Sequence, residues 1–332
     1  MTEADEYKDF TGKKAETYFL LKNYVETGNT ARNLMISQLI QALRNTNQHR
    51  QIEHNGEVIN LDEGSLQLIR SVLQLDIISK MMMYTEDLFV ILDSMLSADG
   101  NYCDVLARES DLGDFLKRFT NNLEFLPKDE YRKMLSYVDP AQIPDPAKRK
   151  VVEKLIDRNI EVFKSFLLLV RDFSRPHSRV HKKYKHGGMP IRQPYAIVSR
   201  SIDLTGFDAY SIILTENTIS KPVKLLPSSP KGTEAYDVLS SKIEKYLMDV
   251  VENRIRIMER KIEGMIPLEN YDPAALTKNE LDLLEEAKKE FDEKHPAKVK
   301  EGFFDIAGIA TDTELLRWYQ RIDDFMMRMK SL

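Results

Sequence analysis

The chain has 332 residues, 42% of them apolar and 30% charged, with only 13 Gly, 13 Pro and a formal net charge of −5. Those proportions describe a folded chain with enough apolar residues for a sizeable core, exclude a low-complexity polymer and favour helices. A single cysteine, Cys103, excludes an intramolecular disulfide framework and any multi-cysteine zinc or iron–sulfur site, which suits a reducing, cytoplasmic setting.

The acidic N-terminus lacks the basic start and apolar stretch of a signal peptide. From Glu16 to Leu43 small or apolar residues recur at spacings of three and four (Leu21, Tyr24, Gly28, Ala31, Met35, Leu39, Leu43), which predicts one long amphipathic helix. The polar stretch Asn45 to Asn60, with its Asn55-Gly56 turn signal, ends that helix before a second begins near Glu63 or Gly64, and the two should pack as a hairpin. The second is the most apolar stretch, Leu66 to Leu96. Six charges (Arg70, Asp76, Lys80, Glu86, Asp87, Asp93) rule it out as a bilayer span and make it a central buried helix. Its acids are expected to pair with Lys80 and with basic residues of neighbouring helices.

A shorter helical region is expected between Asp104 and Val138. Pro140, Pro144 and Pro146 then introduce a long helix over about Lys148 to Ser174. Pro176 lacks an N–H and clashes with the preceding turn, so a kink or stop is expected near Ser174. Tyr195–Leu204 and Ala209–Thr215 are rich in β-branched residues and flank the turn Thr205-Gly-Phe-Asp208, which predicts a small β-hairpin. After the connector Pro222 to Pro230, helical spacing returns at Tyr236, Leu239, Ile243, Leu247, Val250, Met258 and Ile262, interrupted only by Arg254. Capping boxes at Thr277-Lys-Asn-Glu280 and Thr311-Asp-Thr-Glu314 announce two further helices. The expected fold is all-α, a bundle of long helices with a β-hairpin insertion near 195–215. Its divisions are a main bundle over 1–190, the insertion and connector over 191–230, and C-terminal helices over 231–332 packed on the bundle.

No Walker loop, Gly-x-Gly-x-x-Gly, His-Glu-x-x-His, Glu-x-x-His or Gly-x-Ser-x-Gly occurs, so no cofactor or metal is expected. Chemistry concentrates in Arg171-Asp-Phe-Ser-Arg-Pro-His-Ser-Arg-Val-His-Lys-Lys-Tyr-Lys-His186. This stretch holds six Lys and Arg and three of the six His against one Asp. Its positive field in an acidic chain points to an anionic ligand. His177 and His181 have a metal-compatible spacing, but the surrounding cations repel a divalent ion. Arg with His suits phosphodiester chemistry without a metal, because histidine transfers protons near neutrality and Arg stabilises charge on phosphate oxygens. The alternative is a basic helix end that neutralises acidic neighbours, with His186 as a C-terminal cap.

Arg171-Asp172 followed by His177, and Arg44-Asn45 followed by His49, resemble the motif of the HEPN superfamily: Arg, four to six residues, then His. Lys183-Tyr-Lys-His-Gly187 is similar to the close of the corresponding helix in HEPN-like proteins. The resemblance covers some twenty residues. It implies an all-α bundle, often dimeric, that cuts RNA without a metal. It further implies His177 as acid or base and Arg171 as phosphate ligand, with Arg175, Arg179, His181, Lys182, Lys183, Lys185 and His186 binding the strand. The expected function is therefore RNA or nucleotide binding, with endoribonuclease activity, by a homodimer with no membrane partner. A non-catalytic helical interaction protein is the rival.

Overall fold

The computed structural model describes residues 21–22, 30–46, 48, 50–54, 56–96, 126–185, 190–193, 209–215, 218–219, 223–224 and 230–297. The second capping box, the final helix and the region from Asp104 to Glu124 lie outside them. The chain divides into two compact units, Met1–Pro296 and Ala297–Leu332, and the following concerns the first.

Six α-helices are described: α1 (Thr30–Asn45), α2 (Glu63–Leu96), α3 (Lys128–Met134), α4 (Pro146–Lys185), α5 (Pro230–Arg260) and α6 (Lys278–Lys294). The molecule is predominantly all-α, as the periodicity predicts. Helix α2 is the centre: α1, α3, α4 and α5 all pack against it. Its C-terminal half is buried on every side, from Leu88 through Ser94, which is why its sequence lacks a polar face. Each fully buried Leu, Ile or Phe here contributes roughly 1.5–3 kcal/mol relative to exposure.

Helices α1 and α2 form the expected hairpin, but the polar connection between them is structured. Gln51–His54 (β1) and Glu57–Asn60 (β2) pair antiparallel in register Ile52↔Ile59 and Glu53↔Val58. Gly56 sits at φ 80°, the left-handed conformation that a two-residue hairpin turn needs. The Asn-Gly signal therefore marks a ribbon as well as a helix end.

Helix α4 runs unbroken through Pro176 to Lys185, so the expected stop at Ser174 is not observed. The reason is local. Pro176 deprives only the Asp172 carbonyl of its donor, and both residues are exposed, on a face where solvent can take the place of the lost donor. At the other end Asp145 caps the helix, its Oδ1 accepting from the N–H of Ala147 at 2.7 Å and of Lys148 at 3.0 Å.

Ala209–Thr215 is a strand, β4, as expected, while Tyr195–Leu204 lies outside the described residues. The described partners of β4 are β3 (Pro190–Gln193), β5 (Thr218–Ile219) and β6 (Val223–Lys224), all antiparallel. Helix α5 returns to pack on α1 and α2, and α6 lies along α4. Thr277 closes the expected capping box with Glu280 at the start of α6.

Candidate functional site

Helix α4 sets the geometry of the basic cluster. Its buried positions Leu155, Asn159, Phe163, Leu167, Val170, Ser174, His177 and His181 recur at three and four, forming one continuous inward stripe. The stripe is apolar for most of its length and polar at its C-terminal end. Because α4 continues past Pro176, the helical phase holds and carries both histidines inward.

His177 is 8% exposed, its ring 5.2 Å from that of Phe173, and burial pulls its pKa down to about 4. It is therefore neutral at pH 7. His181 sits between two residues of α2. Its Nδ1 is 3.3 Å from the Ser79 hydroxyl, and its Nε2 is 3.5 Å from Glu86 Oε1. Ser79 and Glu86 are seven apart, two turns of α2, so one imidazole spans both. Among the described residues no group of three His, Cys, Asp or Glu is placed to hold a metal.

Arg171 and Arg175 take the other side. Arg171 contacts Asp172 Oδ1 through Nε at 3.0 Å and is partly exposed. One turn later Arg175 is exposed and holds no ion pair among the described residues. The helical positions of Arg179 and Lys182 continue this spacing. The side chains of Arg179, Lys182, Lys183 and Lys185, and His186 as a whole, lie outside the described residues. Arg171 and His177, six residues apart, stand about 120° apart around the axis and about 9 Å along it. One chain therefore does not bring that pair onto a single phosphate.

The other Arg/His pair dissolves into structure. Arg44 binds Asp237 and contacts Thr233 Oγ1 at 3.4 Å, tying α1 to α5, and His49 lies outside the described residues. Two of the acids of α2 meet basic groups of neighbouring helices: Glu86 approaches His181, and Asp87 pairs with Arg32 at 2.8 Å.

A second polar constellation escaped the sequence. Asn159, fully buried on α4, donates to the Glu269 carbonyl at 2.8 Å and accepts from the Tyr271 N–H at 3.2 Å. The Tyr271 hydroxyl donates to Asp249 of α5 at 2.5 Å. Tyr246 stacks on Phe166 at 4.1 Å and meets Tyr271 edge-on at 4.6 Å. Burial pushes the Asp249 carboxyl up to about 6 against the opposing Tyr271 hydrogen bond, with the nearby Glu269 charge adding to the rise. Burial likewise raises Tyr137 and Tyr271, and lifts Tyr246 to about 12. The only sequence signal was an Asn on an otherwise apolar stripe. The network fastens the segment after α5 onto α4 and α5.

Arg254, the one interruption in the α5 stripe, has no partner for its buried Nε among the described residues, and burial lowers its pKa. A groove of about 900 Å³ runs along the first half of α4 and is lined by Lys150, Val151, Lys154, Arg158, Ala275 and Leu283 among others. It lies at the opposite end of α4 from the Arg/His cluster. No described helix is long and apolar enough to cross a membrane.

No family model, no curated protein and no solved structure matches this chain.

Proposed function

We propose that this is a helical protein that binds RNA or a nucleotide through the basic C-terminal end of α4, in a cytoplasmic setting and without a metal. The observation that carries this reading is Arg175, exposed and without an ion-pair partner among the described residues, one turn from Arg171. Elsewhere the basic residues that reach between elements end on acids: Lys148 on Glu286 and Glu290, Lys154 on Glu280, Arg158 on Asp272. An unpaired guanidinium on a basic helix end is the group an external phosphate would meet.

Binding is better supported than cleavage. The HEPN-like role needs His177 and Arg171 on the same phosphate, whereas His177 faces the core and Arg171 the surface. His181 then serves to fasten α4 to α2 and His177 is buried in the core, while the arginines serve the ligand. The rival, a non-catalytic interaction scaffold, is favoured by the cross-helix ion pairs of Lys148, Lys154 and Arg44.

Fluorescence anisotropy with labelled RNA and with ATP, in EDTA at two salt concentrations, tests the proposal. Affinity should fall with salt, and Arg175→Ala should weaken binding and reduce the salt slope by about 1. An absence of salt-dependent binding would leave the scaffold. RNA cleavage abolished by His177→Ala would restore the nuclease role to the histidine.

A further inference from the structure

The ribbon of β1 and β2 projects from the α1–α2 hairpin, and no other described element packs closely against it. A two-stranded ribbon standing alone in water is marginally stable. Val58, at 63%, is the most exposed large apolar residue described, and its neighbour Ile59 is 40% exposed on the opposite face.

The backbone polarity of its edge can be worked out. The Leu61 N–H donates to the Arg50 carbonyl at 2.7 Å, which makes Arg50 and Leu61 a hydrogen-bonded pair. Alternation along an antiparallel ribbon then makes Ile52/Ile59 and His54/Glu57 bonded pairs as well. The N–H and C=O groups of Val58 and Asn60 therefore point away from β1, forming an open edge. Such an edge is a template for another strand.

We propose that the outer edge of β2 pairs antiparallel with β2 of a second copy of this chain, joining two ribbons into a four-stranded sheet about a two-fold axis. An antiparallel partner must offer outward groups where β2 does, so the two self-pairing registers with most overlap centre on Val58 or on Ile59. Both registers set Glu57 opposite Ile59 or Leu61 of the second copy, and neither sets it against its own equivalent. The strand is thus complementary to itself in hydrogen bonding and free of like-charge opposition. The identical strand also brings Val58 and Ile59 under cover, and the arrangement closes at two copies. The occupant is argued from the edge alone and is independent of the anion-binding reading of α4.

Sedimentation of the full chain across a broad concentration range tests this, with Val58→Pro as the decisive variant. Proline at 58 removes an outward N–H and spares every hydrogen bond inside the ribbon, because Glu53/Val58 is a non-bonded pair. The wild type should be a concentration-dependent dimer, and V58P should raise the dimer dissociation constant roughly tenfold or more. A second variant, V58K, should act in the same direction by placing a charge on the edge. Far-UV circular dichroism should show unchanged helix content in both, since no described helix packs closely against the ribbon. A wild type that is monomeric throughout, or a V58P variant that dimerises like the wild type, overturns the proposal.

Discussion

One buried and one half-buried ionisable group pull the stability of this protein in opposite directions with pH. His177 has its pKa held near 4 by burial, below the ordinary 6.5. Between those values the unfolded chain takes up a proton that the folded chain refuses, so stability falls as pH drops through that window by up to about 3 kcal/mol. Asp249 does the reverse. Its folded pKa, pushed up to about 6 from 3.8, gives stability that is full below 3.8 and lost as pH rises through 6. The charges facing it are Glu269, Lys245 and Glu252, and its hydrogen-bond donor is Tyr271. Urea midpoints measured from pH 4 to 7 should fall toward acid more steeply in Asp249→Asn than in the wild type. In His177→Phe the acid-side loss should largely vanish. An identical pH profile in all three proteins would remove both assignments. Neither role was legible beforehand: burial at 177 depends on α4 keeping its phase through Pro176, and burial at 249 depends on which segment covers α5.

At the scale of elements, α4 is the instructive case. The sequence predicts a long helix over about Lys148 to Ser174, introduced by Pro140, Pro144 and Pro146. Pro176 does not end the helix, because its one lost bond lies on the solvent face while Ser174, His177 and His181 are buried on the inward face. Pro176→Ala should therefore return a donor to the Asp172 carbonyl and stabilise the fold by about 1–3 kcal/mol, read as a raised thermal midpoint. A lowered midpoint would mean that the helix end depends on the proline. The β1–β2 ribbon teaches the converse. Its Asn-Gly signal and its Val58-Ile59 pair were present in the sequence, yet the surrounding polar residues made the stretch read as a loop. The Thr277 capping box needed no tertiary help, because its two hydrogen bonds are made within four residues.

The whole molecule is closed by contacts between distant segments. Tyr137 and Met265 form a short parallel bridge, with the Val138 N–H donating to the Met265 carbonyl at 2.8 Å and the Met265 N–H to the Ser136 carbonyl at 2.9 Å. Gly264 permits this, since a Cβ there would lie 2.6 Å from the Tyr137 carbonyl carbon and oxygen. Gly264→Ala should lower stability by about 1–3 kcal/mol through that backbone clash, measured by denaturant unfolding, and an unchanged midpoint would show that the bridge yields freely. The sequence by itself determined the helical class, the central place of α2, the pairing of Glu86 and Asp87 with neighbouring helices and the cap of α6. These follow from periodicity and from interactions a few residues long. Only the tertiary structure decided that the histidines of the basic cluster face inward while Arg175 faces out, and that Asn159, Asp249 and Tyr271 form one network. Such facts depend on helical phase carried across a whole helix and on which surfaces meet, and neither is encoded within any local window of the chain.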